Sequence, residues 1–193
     1  MKDNTKKAAI SLLATSECNL LYSLRGLRSE DIYRQAQPEL NSIGWIFGHC
    51  AVHMDWVLSL ITEGTRAFSE EVCYYYRYGT TKSEILDGGT PISFSDLLDS
   101  YLKVSESFLT FLTEIEEDTL YKAFPGEPSE DLMQTILRVS LHFMGHAGQI
   151  VLIRRALGNP GPSFVSGVKK DSREQIMADW HDWWRSNRES FQD

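Results

Sequence analysis

Residues 129–158, SEDLMQTILRVSLHFMGHAGQIVLIRRALG, decide how this chain is read. Apolar residues recur at three- and four-residue steps, Ser129 with acidic neighbours opens the run, and Gly158 closes it ahead of Pro160 and Pro162. The pattern predicts one long helix over about 129–157. Inside it, His142 and His146 stand four positions apart. A helix rises about 1.5 Å per residue with about 3.6 residues per turn, so both imidazoles share a face roughly 6 Å apart along the axis. That spacing suits two ligands of one metal ion. The neighbours Phe143, Met144, Ile150 and Ile153 mark a buried face, where an imidazole loses its charge and needs partners for its nitrogens.

Outward from this helix the same periodicity recurs. Ile10, Leu13, Cys18, Leu20, Leu21, Leu24 and Leu27 predict a first helix over about 4–28. A second spans roughly 41–62, with Asn41 or Ser42 as N-cap and Gly64 at its end. Residues 64–91, with clustered tyrosines and then glycines and a proline, predict a long connection with room for a short helical turn. A third helix follows in residues 93–118, with Ser95 as cap. The amphipathic stretch 171–187, striped by Ile176, Trp180, Trp183 and Trp184, predicts a fifth. No segment predicts a strand. The expected class is all-α: a four-helix bundle with a long connection between helices two and three, followed by a Trp-rich C-terminal helix. One domain over 1–193 is expected, the bundle covering about 5–158 and the appendage, which begins with the glycine-rich connection at 158–167, about 159–193.

The net charge of −8 and the absence of a basic patch argue against nucleic-acid partners. Cys18, Cys50 and Cys73 are an odd count without paired spacing, which predicts reduced thiols in a cytoplasmic protein, buried as small hydrophobes. The N-terminus turns polar too soon for a secretory signal, and no uninterrupted apolar run reaches membrane length, so a soluble protein without a membrane partner is expected.

Four of the five histidines form two four-apart pairs, His49 with His53 and His142 with His146. Random placement gives about 0.13 such pairs on average, so the pattern supports a metal hypothesis. His49 lies on the apolar stripe of Trp45, Ile46, Trp56 and Leu60 and is the natural third ligand. His53 either completes a four-nitrogen site or stands beside it as an orienting group or pocket acid/base. Gln149, three positions after His146, is either its hydrogen-bond partner or a capped polar group at the bundle's end. His181 is read as surface or packing. Gly145 and Gly148 each cost about 1 kcal/mol in a helix, for which close approach of another helix is the expected reason.

The stretches LNSIGWIFGHCAVHMDWVL and HFMGHAGQIVLIRRALGNPG resemble the two signature helices of the DinB-like family, whose relatives include bacillithiol transferases and mycothiol-dependent isomerases. The resemblance spans roughly residues 5–158. It implies a four-helix bundle holding zinc or nickel on three histidines, here His49, His142 and His146, and frequent homodimers. Where relatives are enzymes, it implies activation of a small thiol for transfer to an electrophile. The expected function is therefore a metal-dependent S-transferase or a related isomerase or hydrolase, with a non-catalytic metal-binding stress-response protein as the alternative. The role of the Trp-rich segment, which covers the bundle end, lines the pocket mouth or forms a dimer face, stays open.

Overall fold

The computed structural model describes residues 4–79, 90–162 and 168–192. Six helices are present among them: α1 (Asn4–Leu24), α2 (Ile43–Thr62), α3 (Glu70–Tyr76), α4 (Phe94–Glu114), α5 (Leu132–Ala156) and α6 (Lys170–Asn187). α1 packs along α5, α5 against α2, α2 against α4 and α4 against α1, which closes a four-helix ring, and α6 lies on α1. The class is all-α, as the periodicity predicts. Apolar residues of all four bundle helices and of α6 meet in one buried cluster that includes Leu13, Phe47, Tyr101, Phe143 and Trp180.

The helix boundaries differ from expectation in instructive ways. α1 stops four residues early, and Gly26 in the following turn takes a positive φ of 74°. Ser42 caps α2 by accepting from the Trp45 N–H, while Glu63 takes the left-handed position at its end that Gly64 was expected to supply. Ser93, not Ser95, caps α4: its Oγ accepts from the Asp96 N–H, and Ser95 is buried in the first turn of the helix. At α5 the cap is Asp131 rather than Ser129. Asp131 and Gln134 form a reciprocal capping box, each side chain accepting the other's backbone N–H.

Ser129 is displaced because it belongs to a hairpin that sequence reading does not predict. Strands β1 (Ala123–Phe124) and β2 (Glu127–Asp131) pair antiparallel around Pro125 and Gly126. They are too short for a period-two pattern, and Glu127–Asp131 has a composition depleted in strands. The turn packs on α2, since a Cβ on Gly126 would fall 2.6 Å from Phe124, 2.7 Å from Leu60 and 2.9 Å from Trp56.

The predicted long connection does hold a helical segment, α3; its residues 80–89 lie outside the described residues, as do 163–167 of the glycine-rich connection. Asp55, buried in α2, fixes the path into α3. Its carboxylate accepts from Arg66 Nε at 3.1 Å and from the Ala67 N–H at 2.8 Å, and Arg66 Nη2 donates to the Val52 carbonyl. At the other end of the bundle Arg154, fully buried, donates to the Ser23, Arg25 and Asn159 carbonyls and so ties the end of α5 to the end of α1. α5 is also long and apolar enough to span a bilayer by average hydropathy, 1.3, although no run within it is uninterrupted. Here it is the central bundle helix, with Ile136, Val139, Phe143, Ala147 and Ile150 fully buried.

Candidate metal centre

α2 and α5 face each other with their histidines inward. His142 sits centrally: its ring centroid is 4.3 Å from His146, 4.8 Å from His53 and 5.0 Å from His49, and His49 and His146 are 5.3 Å apart. Two trios have ligand atoms all within 4.8 Å of one another, His49 with His53 and His142, and Cys50 with His142 and His146. Neither trio is the set that the resemblance singles out: His49 falls in one and His146 in the other, with His142 in both, although the three ring centroids lie within 5.3 Å of one another. His53 and the Cys50 thiol, which the sequence suggested was core packing, complete the cluster.

Each ring is held in a definite way. His49 Nδ1 lies 2.8 Å from the Tyr76 carbonyl, an acceptor only, so Nδ1 carries the proton and Nε2 keeps its lone pair. His146 Nδ1 lies 2.8 Å from Gln149 Oε1, which fixes the same tautomer. His142 Nε2 is buried and has no hydrogen-bond partner among the described residues. His53 is different: Arg138 Nη1 donates to its Nε2 at 3.3 Å, and Arg138 Nε in turn donates to Glu130 of β2 at 3.0 Å. Its Nε2 lone pair is already engaged, so the first trio is close enough to bind an ion but His53 offers that nitrogen only if Arg138 lets go.

Electrostatics agree with ligation by neutral imidazoles. Burial, with the neighbouring imidazoles and Arg138 adding to it, pushes His142 down to about 3. Burial and then the Arg138 charge push His53 down to about 4. His49 and His146 are also lowered by burial, against the opposing pull of their bonds to Tyr76 and Gln149. Desolvation raises the Cys50 thiol well above its ordinary range.

The surroundings explain how these rings come to be placed. Gly48 brings Tyr76 against α2, because a Cβ there would fall within 2.3–2.7 Å of the tyrosine ring. Gly44, one turn earlier, makes the same room for Tyr33, and the two phenols hydrogen-bond at 3.1 Å. The Tyr76 carbonyl thereby reaches the edge of His49, while Trp45 stacks on that ring, nearly parallel, with centroids 5.3 Å apart. Trp56 packs edge-on between His53 and Phe124 of the hairpin. Gly145 and Gly148 do not play the role expected of them: nothing among the described residues lies within 4 Å of a Cβ at either position. His181 is exposed on α6, away from the cluster.

Of the groups that orient the site, Tyr76 and the Arg138–Glu130 pair escaped sequence reading. Arg138 had a signal, since it precedes His142 by four residues as His142 precedes His146. The Tyr76 carbonyl had none, being a main-chain atom brought in by tertiary packing.

The donor set fits a divalent ion of the kind that imidazole and thiolate bind, zinc or nickel among them. The unpartnered His142 nitrogen and the two Nε2 atoms left free by fixed tautomers are what such an ion requires. Searches among curated proteins and among solved structures return no significant match. A family model of the DinB superfamily matches residues 12–150, well over half of the chain and including all four clustered histidines, and the chain belongs to that superfamily.

Proposed function

We propose that the protein holds one divalent metal ion, zinc or nickel, on His49, His142 and His146, and that it is a metal-dependent enzyme acting on a small thiol, of the S-transferase type or a related isomerase or hydrolase. The observation that carries this reading is the His142 Nε2 atom, buried without a hydrogen-bond partner among the described residues, on a ring with three further imidazoles around it whose charged forms burial disfavours. A bound ion would supply Lewis acidity, lowering the pKa of a coordinated thiol or water. The Tyr76 carbonyl and Gln149 hold His49 and His146 in the tautomer that leaves Nε2 free. Arg138, braced by Glu130, occupies His53 Nε2, which leaves His53 a neutral ring with its proton on Nδ1. In that state it is a hydrogen-bond donor for a group bound in the pocket rather than a further ligand.

The three free cysteines, two of them buried, support a cytoplasmic location. A homodimer finds its best support on α5. Leu137, Leu141 and Leu152 are exposed on one face, with Gly145 and Gly148 between them open to close approach by a second copy about a two-fold axis.

The test is metal content per chain by plasma mass spectrometry on untagged protein, for wild type and His142→Ala. About one equivalent in the wild type, lost in the variant, is expected. Metal in neither, even after incubation with zinc or nickel, overturns the reading. The non-catalytic alternative is separated by chelation: it requires a large fall in melting temperature together with no binding of thiols to the loaded protein.

A further inference from the structure

On the far side of the bundle, α1, α4 and α6 line an open cleft of about 660 Å³ that contains none of the four clustered histidines. Its inner surface is apolar, formed by Leu21, Leu102, Leu109 and Met177. At its depth lies one carboxyl group, Glu17, only 4% exposed. Glu17 Oε1 accepts from the fully buried Tyr101 hydroxyl at 3.2 Å, and Ser105 supplies a second hydroxyl. Among the described residues no cation is hydrogen-bonded to it. Arg173, which also lines the cavity, spends its Nη1 on Ser11 and Thr15 of α1. The rim carries the exposed Glu106, Glu114 and Glu174 against the exposed Lys103 and the half-buried Arg173, so carboxylates outnumber cations.

This is the composition of a small-molecule site: an apolar chamber of suitable volume with one convergent polar group that sets orientation. Once ionised, a buried carboxyl without a countercharge selects what enters, and a cation that binds it favours the ionised form. An anionic ligand would add repulsion, a neutral one would leave the carboxyl uncompensated, and a cation would supply the missing charge together with N–H donors.

We propose that this cavity binds a small organic cation, a primary amine on an aryl or alkyl body, with its ammonium group against the Glu17 carboxylate and its apolar part between Leu102, Leu109 and Met177. The site is independent of the metal centre and of any reaction there.

The experiment titrates the ¹⁵N-labelled full-length protein with 2-phenylethylamine, 2-phenylethanol and phenylacetate, reading amide shifts. The amine is expected to give saturable shifts confined to α1, α4 and α6. The alcohol, the acid and the amine against Glu17→Gln should each bind at least about tenfold more weakly, the size of a lost charge-assisted hydrogen bond. Ala14→Phe, which fills the chamber from α1 and leaves Glu17 intact, should abolish the response. The proposal is overturned by an absence of saturable shifts with the amine, by equal affinity for the alcohol or tighter binding of the acid, by amine affinity unchanged in Glu17→Gln, or by a response that persists in Ala14→Phe.

Discussion

Glu17→Gln should stabilise the protein, and only above acidic pH. The carboxyl ionises near pH 4.5 when solvated, but burial, opposed only partly by the Ser105 and Tyr101 hydroxyls, raises it to about 7 in the fold. Between these values the folded chain keeps a proton that the unfolded chain has released. Folding is therefore favoured at low pH, and the advantage is lost as pH rises through 7. One pH unit of such a difference is worth about 1.4 kcal/mol, so the ionised carboxylate costs the fold up to about 3 kcal/mol at pH 8. Glutamine is neutral throughout, and its amide oxygen can still accept from Tyr101. In urea denaturation followed by circular dichroism, variant and wild type should match at pH 4.5. At pH 8 the variant should gain about 2–3 kcal/mol, or roughly 4–12 °C in melting temperature for a chain of this size. The histidines titrate equally in both proteins and cancel from the difference. A stability difference that does not change with pH, or a variant less stable at pH 8, would refute the reasoning.

Gly48→Ala drives a methyl group into the Tyr76 ring, which is fully buried and has little room to move. A loss of about 1–3 kcal/mol in thermal or urea denaturation is expected. Because the Tyr76 carbonyl orients His49, about a 10- to 100-fold weaker metal affinity in competition with a chelator should accompany it; unchanged affinity would show that the carbonyl does not orient the ring. Leu141→Glu, at a position 62% exposed, should leave monomer stability within about 0.5 kcal/mol. Sedimentation should nonetheless show a dimer falling to monomer, and an unchanged mass would exclude the α5 face as the interface.

The helices were legible because their apolar spacing reports burial directly, and the histidine pairs because two residues four apart share a helix face whatever the tertiary structure. Caps were less so. SFSD at 93–96 offers two serines, and only Ser93 has Asp96 three positions on to complete the turn, whereas Ser95 is needed inside. SED at 129–131 poses the same choice, and Gln134 decides it for Asp131. The hairpin left no periodic trace, and with it went the Glu130–Arg138–His53 chain, whose first member sits on β2. Which glycines admit a neighbour was not legible. Gly145 and Gly148 looked like a helix contact and meet nothing, while Gly44 and Gly48, one turn apart on α2, admit the two tyrosines.

The family match ends at residue 150, whereas α6, which begins at Lys170, is fastened to α4 by two bonds to Asp99, from Trp184 Nε1 at 3.0 Å and from Arg188 Nε at 2.6 Å. Arg173, Glu174, Met177 and His181 of the Glu17 chamber all come from that later segment, while its carboxyl comes from α1. The chamber is therefore built from residues inside the family match and residues beyond it. A chain with the same bundle and a different ending would keep the histidine centre between α2 and α5 and lose this wall, leaving Glu17 in a shallow groove open to water. The Glu17 cleft thus depends on the C-terminal segment, and the histidine centre, whose residues all come from α2 and α5, does not.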